Sequence, residues 1–341
     1  MSFRSRGQGP AVRAQGSRWT GILHLLLLVC AAPVAGQEAG NPRQGSSLTT
    51  DPSPLTPNYT PHRVFDSRKK RFIDFETLAQ RLAAADLVFV GEQHNDPATH
   101  RMELAILEGI ARRRDSVVLA LEMWERDVQP LLDRYLAGSA TEEELLRDGR
   151  PWKNYAADYR PLVELARARS WPVIASNVPR PLASLVSRGG LAALDTLSPE
   201  VRRRVAASIA CPEDEYFEKF RAVMGDMSSH QPGAGGADSS AVRLLRIYQA
   251  QCIKDETMGE SVARAWTPGR LVVHYNGAFH SDFRLGTVDR ARQRAGKADV
   301  LVVTAVPVAE LDRLKPSKEE RKRADYLVYV LAPVKADSAG R

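Results

Sequence analysis

From Arg63 onward, short runs of Val, Leu and Ile alternate with longer amphipathic stretches, the pattern of β-strands covered by helices. Six runs read as strands: Leu87 to Val90, Val117 to Leu121, Pro172 to Ala175, Leu271 to Tyr275, Val300 to Val303 and Tyr326 to Leu331. They are apolar at nearly every position rather than at every second one, so both faces of the sheet must be covered. The fold class expected is α/β: a mostly parallel open sheet with helices on both faces and a helical insertion.

Helix signals fill the gaps. Between the first two strands Asp96 suits an N-cap, Pro97 suits the first turn, and Met102, Ile106 and Ile110 share one face. Further helices are expected over Arg126 to Ala137, Arg160 to Arg169 (with Asp158 as N-cap), Pro181 to Val186 and Pro199 to Ser208. Residues 211–265 carry no strand signal and read as two helices joined by the flexible "SSHQPGAGGADSS", a helical insertion or cap over the sheet. "PSKEERKRAD" reads as a solvated charge run.

The N-terminal pattern is different. Four arginines and no acid precede "TGILHLLLLVCAAPVAG", whose apolar core, Ile22 to Ala32, is too short for a stable bilayer span. Residues 1–36 are therefore expected to be a secretory signal, with an uncut anchor as the alternative, and Cys30 raises lipidation although Val29 is a poor lipobox residue. Residues 37–62, rich in Pro, Ser, Thr and Gly, read as a disordered linker, and 63–335 as the folded domain. The expected location is exported, either periplasmic or anchored to a membrane facing the periplasm.

Charge narrows the partners. Loss of the four leader arginines lowers the formal charge from +7 to +3, too mild for a nucleic-acid surface. A homodimer is compatible with the sequence. Cys211 and Cys252 could pair in an oxidising compartment or stay as separate buried thiols.

The candidate chemistry lies where strands end. "GEQH" (91–94) follows the first strand and "GAFH" (277–280) the fourth, each a glycine with a histidine three residues on. The second strand exits into Glu122, and the third into Asn177 and Arg180. In parallel α/β sheets the carboxyl ends of strands share one edge, where ligands bind. Glycine permits a sharp turn off each strand, with positive φ at no steric cost. Glu92, His94 and His280 then form a mixed oxygen/nitrogen ligand set for a divalent ion, with Glu92 or Glu122 as general base and Arg126 as the partner of Glu122.

Taken singly, each residue has an ordinary structural use; their confinement to strand ends favours a site. His100, on the first helix, and His274, inside a strand, are left out of it. Trp152, Tyr155 and Tyr159 cluster in a connection and suggest a wall or lid, tyrosine also being a haem ligand. Glycine-rich dinucleotide and Walker loops, His-Glu-x-x-His, Cys-x-x-Cys and nucleophile-elbow motifs do not occur.

The blocks "VFVGEQHNDPATH", "LALEMWERDVQPLLDRYLAG", "WKNYAADYRPLVELAR", "VIASNVPR" and "NGAFHSDF" together resemble the ChaN-like family, the haem-binding uptake members of the Tiki superfamily. That resemblance implies an exported or lipid-anchored protein of haem or iron acquisition, whereas Tiki relatives are metal-dependent proteases. It places Glu92, His94, Glu122 and His280 in the superfamily site and Asn177 and Arg180 in its "NxPR" block. Tyr155 and Tyr159 fall in the aromatic block, either one able to ligate haem. Two functions follow as expectations: haem or metal binding in iron acquisition, and alternatively metal-dependent hydrolysis.

Overall fold

The chain enters its sheet through two strands that the apolar pattern misses, β1 (His62–Asp66) and β2 (Arg71–Ile73). Then follow α1 (Phe75–Ala84), β3 (Leu87–Glu92), α2 (Pro97–Ala111), β4 (Val117–Glu125), α3 (Gln129–Leu136), α4 (Glu142–Asp148), α5 (Arg160–Ala168) and β5 (Val173–Asn177). Next come α6 (Arg180–Gly189), α7 (Pro199–Arg202), α8 (Glu215–Ser228), α9 (Ser240–Ala265), β6 (Leu271–Gly277), α10 (Thr287–Ala295), β7 (Val300–Val308), α11 (Lys318–Arg323) and β8 (Tyr326–Leu331). The structure, a computed structural model, describes residues 60–228 and 240–332, all within the compact unit Pro52–Arg341. The leader, the linker up to residue 59 and most of the "SSHQPGAGGADSS" segment lie outside the described residues.

All six expected strands exist, in one sheet ordered β2-β1-β8-β7-β3-β6-β4-β5. The six from β8 to β5 run parallel, and β1 and β2 close one edge antiparallel. His62, read from sequence as part of a flexible segment, is the first residue of β1. The near-continuous apolar runs have the expected cause. Along β3, Val88 and Val90 pack with Met102 and Ile106 on one face, while Leu87 and Phe89 pack with Val262 and Val288 on the other.

Several helices differ from expectation. Arg126–Val128 is a 3-10 turn, and α3 begins only at Gln129, with Pro130 in its first turn. The stretch beyond Arg202 is not helical. There the Arg202 guanidinium donates to Ala206 O at 2.7 Å, and Ala206 N donates to Thr257 Oγ1 at 3.2 Å, so the chain is tied to α9 instead. The "PSKEERKRAD" run holds a helix, α11, started by a capping box between Ser317 and Glu320.

The 211–265 segment does more than cap. Along α9, burial runs from Tyr248 to Val262, and this half packs on α6, α10 and the sheet. Cys211 and Cys252 are joined in a disulfide that ties the start of this segment to α9. No described helix is long and apolar enough to cross a membrane.

Candidate functional site

The two Gly-x-x-His steps meet because β6 inserts beside β3. The strands pair in parallel with Gly91 opposite Asn276 and Glu92 opposite Gly277. Neither glycine has positive φ; Gly277 sits at φ −55°, ψ 135°. The turn-making role expected of them is therefore replaced by close approach. A methyl on Gly277 would lie 2.6 Å from His94 Nε2, and one on Gly91 would lie 2.8 Å from Ser281 Oγ and 2.9 Å from Ala278 Cα. Each glycine makes room for the turn of the other motif.

On the β3 side, Glu92 is buried at the strand terminus. Its Oε1 lies 2.5 Å from His94 Nδ1 and accepts from the Tyr159 hydroxyl at 2.8 Å. Its Oε2 lies 3.0 Å from His100 Nδ1, and His100 in turn meets Glu103 Oε2 at 2.8 Å. Burial pushes the Glu92 carboxyl up, but His100 and His94 outweigh it and hold the group at about 2. Burial opposes charge on His100, yet Glu103 and Glu92 raise its imidazole to about 11. Glu103 is pushed well above the carboxylate range by burial and by the charge on Glu92.

On the β6 side, Glu122 leaves β4 where the pairing with β5 slips between Leu121 and Glu125, a bulge that re-aims the strand end. Glu122 Oε2 accepts the Gly277 N–H at 2.8 Å, and Oε1 lies 3.4 Å from His280 Nε2. His280 Nδ1 meets Asp255 Oδ1 at 2.8 Å, and Asp255 also accepts from Thr287 Oγ1 at 2.8 Å and the Tyr216 hydroxyl at 2.7 Å. Against burial, Glu122 and Asp255 raise His280 to about 10, while Glu122, despite its burial, is held well below the usual carboxylate range by His280 and His94. The candidate site is thus two carboxylate–imidazole pairs, the buried Glu122–His280 and Glu92–His94 with its half-buried imidazole, joined through Gly277.

Other expected site residues land differently. Arg126 does not face Glu122: it donates to Ser261 Oγ at 2.9 Å, Glu260 Oε1 at 3.0 Å and Thr257 O at 2.8 Å, clamping the end of β4 to α9. Asn177 satisfies backbone, donating to Glu122 O at 3.1 Å and accepting from Val178 N at 2.8 Å. Arg180 stands at the rim, its side chain 67% exposed and 3.5 Å from Glu125. Tyr155 and Tyr159 are buried in a π-helical turn. Trp152 lies edge-on to His94, with ring centroids 4.9 Å apart. Asp158 does not cap α5; it accepts from Asn154 Nδ2 at 2.8 Å, beneath His100. His274 is the core residue the sequence suggests: its ring nitrogens meet Ser176 Oγ and Asn276 Oδ1, and burial lowers it to about 4.

The sequence reading left out His100, which proves to be buried, and missed Glu103, Gln251 and Asp255. A His-x-x-Glu pair on the buried face of α2 was the available signal for the first two. For Gln251 and Asp255 it was two polar residues four apart on the apolar face of α9. His100 also belongs to a different trio from the one expected. Among the described residues, the ligand atoms that lie within 4.8 Å of one another are those of Glu92, His100 and Glu103, not those of Glu92, His94 and His280. A cation fits that trio, since Glu103 Oε1 is buried without a hydrogen-bond partner beside Glu92 Oε2, which faces the His100 ring at 3.0 Å. Haem ligation by tyrosine does not fit. The Tyr159 hydroxyl is committed to Glu92, and the Tyr155 hydroxyl is sealed inside without a partner.

A solved structure shares this frame. The ChaN protein of Campylobacter jejuni, solved with cofacial haem, superposes with a TM-score of 0.58 at 14% identity, covering 79% of this chain and 96% of that one. A Bacillus cereus protein and an erythromycin esterase in an open conformation each reach a TM-score of 0.42, at 11% and 12% identity, covering 75% and 80% of this chain and 91% and 83% of theirs. No curated protein matches significantly. The family described as haem-binding uptake, Tiki superfamily, ChaN matches residues 78–291, nearly two thirds of the sequence, and the chain belongs to that family.

Proposed function

We propose that this chain is an exported protein, free in the periplasm or lipid-anchored facing it, that binds haem at the carboxyl rim of its sheet in haem or iron acquisition. Family membership supports the ligand class. The observation that carries the site is His94. Its side chain is 19% exposed, the most open of the network's histidines, its Nδ1 is backed by Glu92, and Trp152 stands beside it. A carboxylate behind an imidazole fixes the ring and raises its basicity toward a metal. His94 and Trp152 would hold the haem, which is the cargo in this reading.

Titration of the purified protein with hemin tests this. A saturable Soret band is expected, lost in His94→Ala and kept in Tyr155→Phe. A band that survives His94→Ala and disappears in Tyr155→Phe would return the role to tyrosine.

Metal-dependent hydrolysis is the second reading, favoured by the unpartnered Glu103 Oε1 beside Glu92 and His100. Those three residues would hold a divalent ion, and the chemistry it would supply is Lewis-acid activation of water. Glu122 would take the proton, with His280 and Asp255 orienting it. Glu122, held well below the usual carboxylate range, is a weak base in this arrangement, which ranks the reading second. Elemental analysis together with peptide hydrolysis, with and without chelator, separates the two. Stoichiometric metal and loss of turnover in Glu122→Gln would reverse the ranking.

A further inference from the structure

Outside the carboxylate–imidazole network the rim is basic. At the end of β4, three residues past Glu122, Glu125 accepts from Arg150 at 2.9 Å and lies 3.5 Å from Arg180. Asp127 accepts from the same Arg150 at 2.7 Å and lies 3.6 Å from Arg204. Three guanidinium groups are therefore shared by two carboxylates, and all three side chains are at least 40% exposed. Arg150 also adopts a left-handed backbone, φ 54°, a conformation that costs a non-glycine residue energy and that its two ion pairs hold in place.

A fourth cation comes from α9. Lys254 lies on α9 one residue before Asp255 and three after Gln251, the two α9 side chains that touch His280. It forms no salt bridge among the described residues. Burial lowers its amine, Glu122 and Asp255 oppose that, and the positive charge of Arg180 adds to it. The inner carboxylates Glu92 and Glu122 are already answered by His94, His100 and His280. Three arginines over Glu125 and Asp127 leave one positive charge uncompensated past the end of β4, and Lys254 adds a further cation from α9.

We propose that Arg150, Arg180, Arg204 and Lys254 read two acidic groups of the ligand, so that the site takes a tetrapyrrole bearing free carboxylates and discriminates against its neutral ester. This rests on the haem reading above and deepens it. Guanidinium groups pair with carboxylate in a fork of parallel hydrogen bonds, which a methyl ester with no charge reproduces poorly. Because the arginines are half-exposed and shared, an incoming carboxylate can draw them from Glu125 and Asp127 without burying a bare charge.

The test compares hemin with hemin dimethyl ester, in one mixed solvent, for the wild-type chain, Arg150→Ala/Arg180→Ala and Lys254→Gln, with circular dichroism as the folding control. The wild type is expected to bind the diacid at least ~10-fold tighter, the scale of one charge-assisted pair, and to lose that margin as salt rises. The double variant erases the preference while the Soret position stays put, and Lys254→Gln reduces it. Equal wild-type affinities for diacid and diester overturn this inference and leave haem binding standing. If neither porphyrin binds, the haem function falls and takes the inference with it.

Discussion

The imidazole of His94 lies over the α-carbon of Gly277, so near that a methyl at 277 would sit 2.6 Å from Nε2 and 2.7 Å from Cε1. The same glycine donates its N–H to Glu122 at 2.8 Å. One residue without a side chain thus brings the histidine of the first motif and the carboxylate of β4 onto the start of the second.

Gly277→Ala should displace His94 from Glu92 and abolish the hemin Soret band, at a stability cost of roughly 1–3 kcal/mol for overpacking. Gly91→Ala meets backbone at Ala278 and should destabilise at least as much. Urea melts and hemin titrations measure both. Wild-type hemin affinity in Gly277→Ala would show that the close approach is incidental.

The two tyrosines should separate. Tyr159→Phe removes a donor from buried Glu92 and should cost roughly 1–3 kcal/mol. Tyr155→Phe removes a hydroxyl that is buried without a partner and should be neutral or stabilising. Neither should remove the Soret band. Midpoints of denaturation that rank the other way would contradict the hydrogen-bond assignment.

Alkaline pH should weaken the metal-free fold through His280. Its folded-state pKa is raised from 6.5 to about 10, so its stabilisation is whole below about pH 6.5 and lost as pH climbs through about 10. Asp255→Asn should lower stability near pH 6 by roughly 2–3 kcal/mol, because one charged acceptor of His280 is gone. It should also flatten the decline between pH 7 and 10. Urea midpoints across that range are the check, and parallel curves for the two proteins would defeat the prediction.

Arg126 should matter for stability and not for the ligand. Its guanidinium ties β4 to Glu260, Ser261 and Thr257 O, while Glu260 keeps the Ala207 N–H and Arg264, so Arg126→Ala should cost roughly 1–3 kcal/mol through the lost hydrogen bonds. Hemin affinity measured on the folded fraction should be unchanged. A selective loss of ligand binding at wild-type stability would restore Arg126 to the working site.

Six parallel strands, the helices flanking them and the two Gly-x-x-His steps were legible in the order of residues, because a strand buried on both faces writes an uninterrupted apolar run and its exit residues follow directly. Which strands lie side by side is a non-local choice: β6 pairs with β3 and β4 across nearly 200 and 150 positions, and no local pattern encodes that. Tertiary packing alone turned the two glycines from flexible turns into contact points, sent Arg126 to α9, and enclosed both tyrosines. It also supplied His100, Glu103, Gln251 and Asp255 from buried helix faces, where a polar residue betrays its partner only once the facing surface is known.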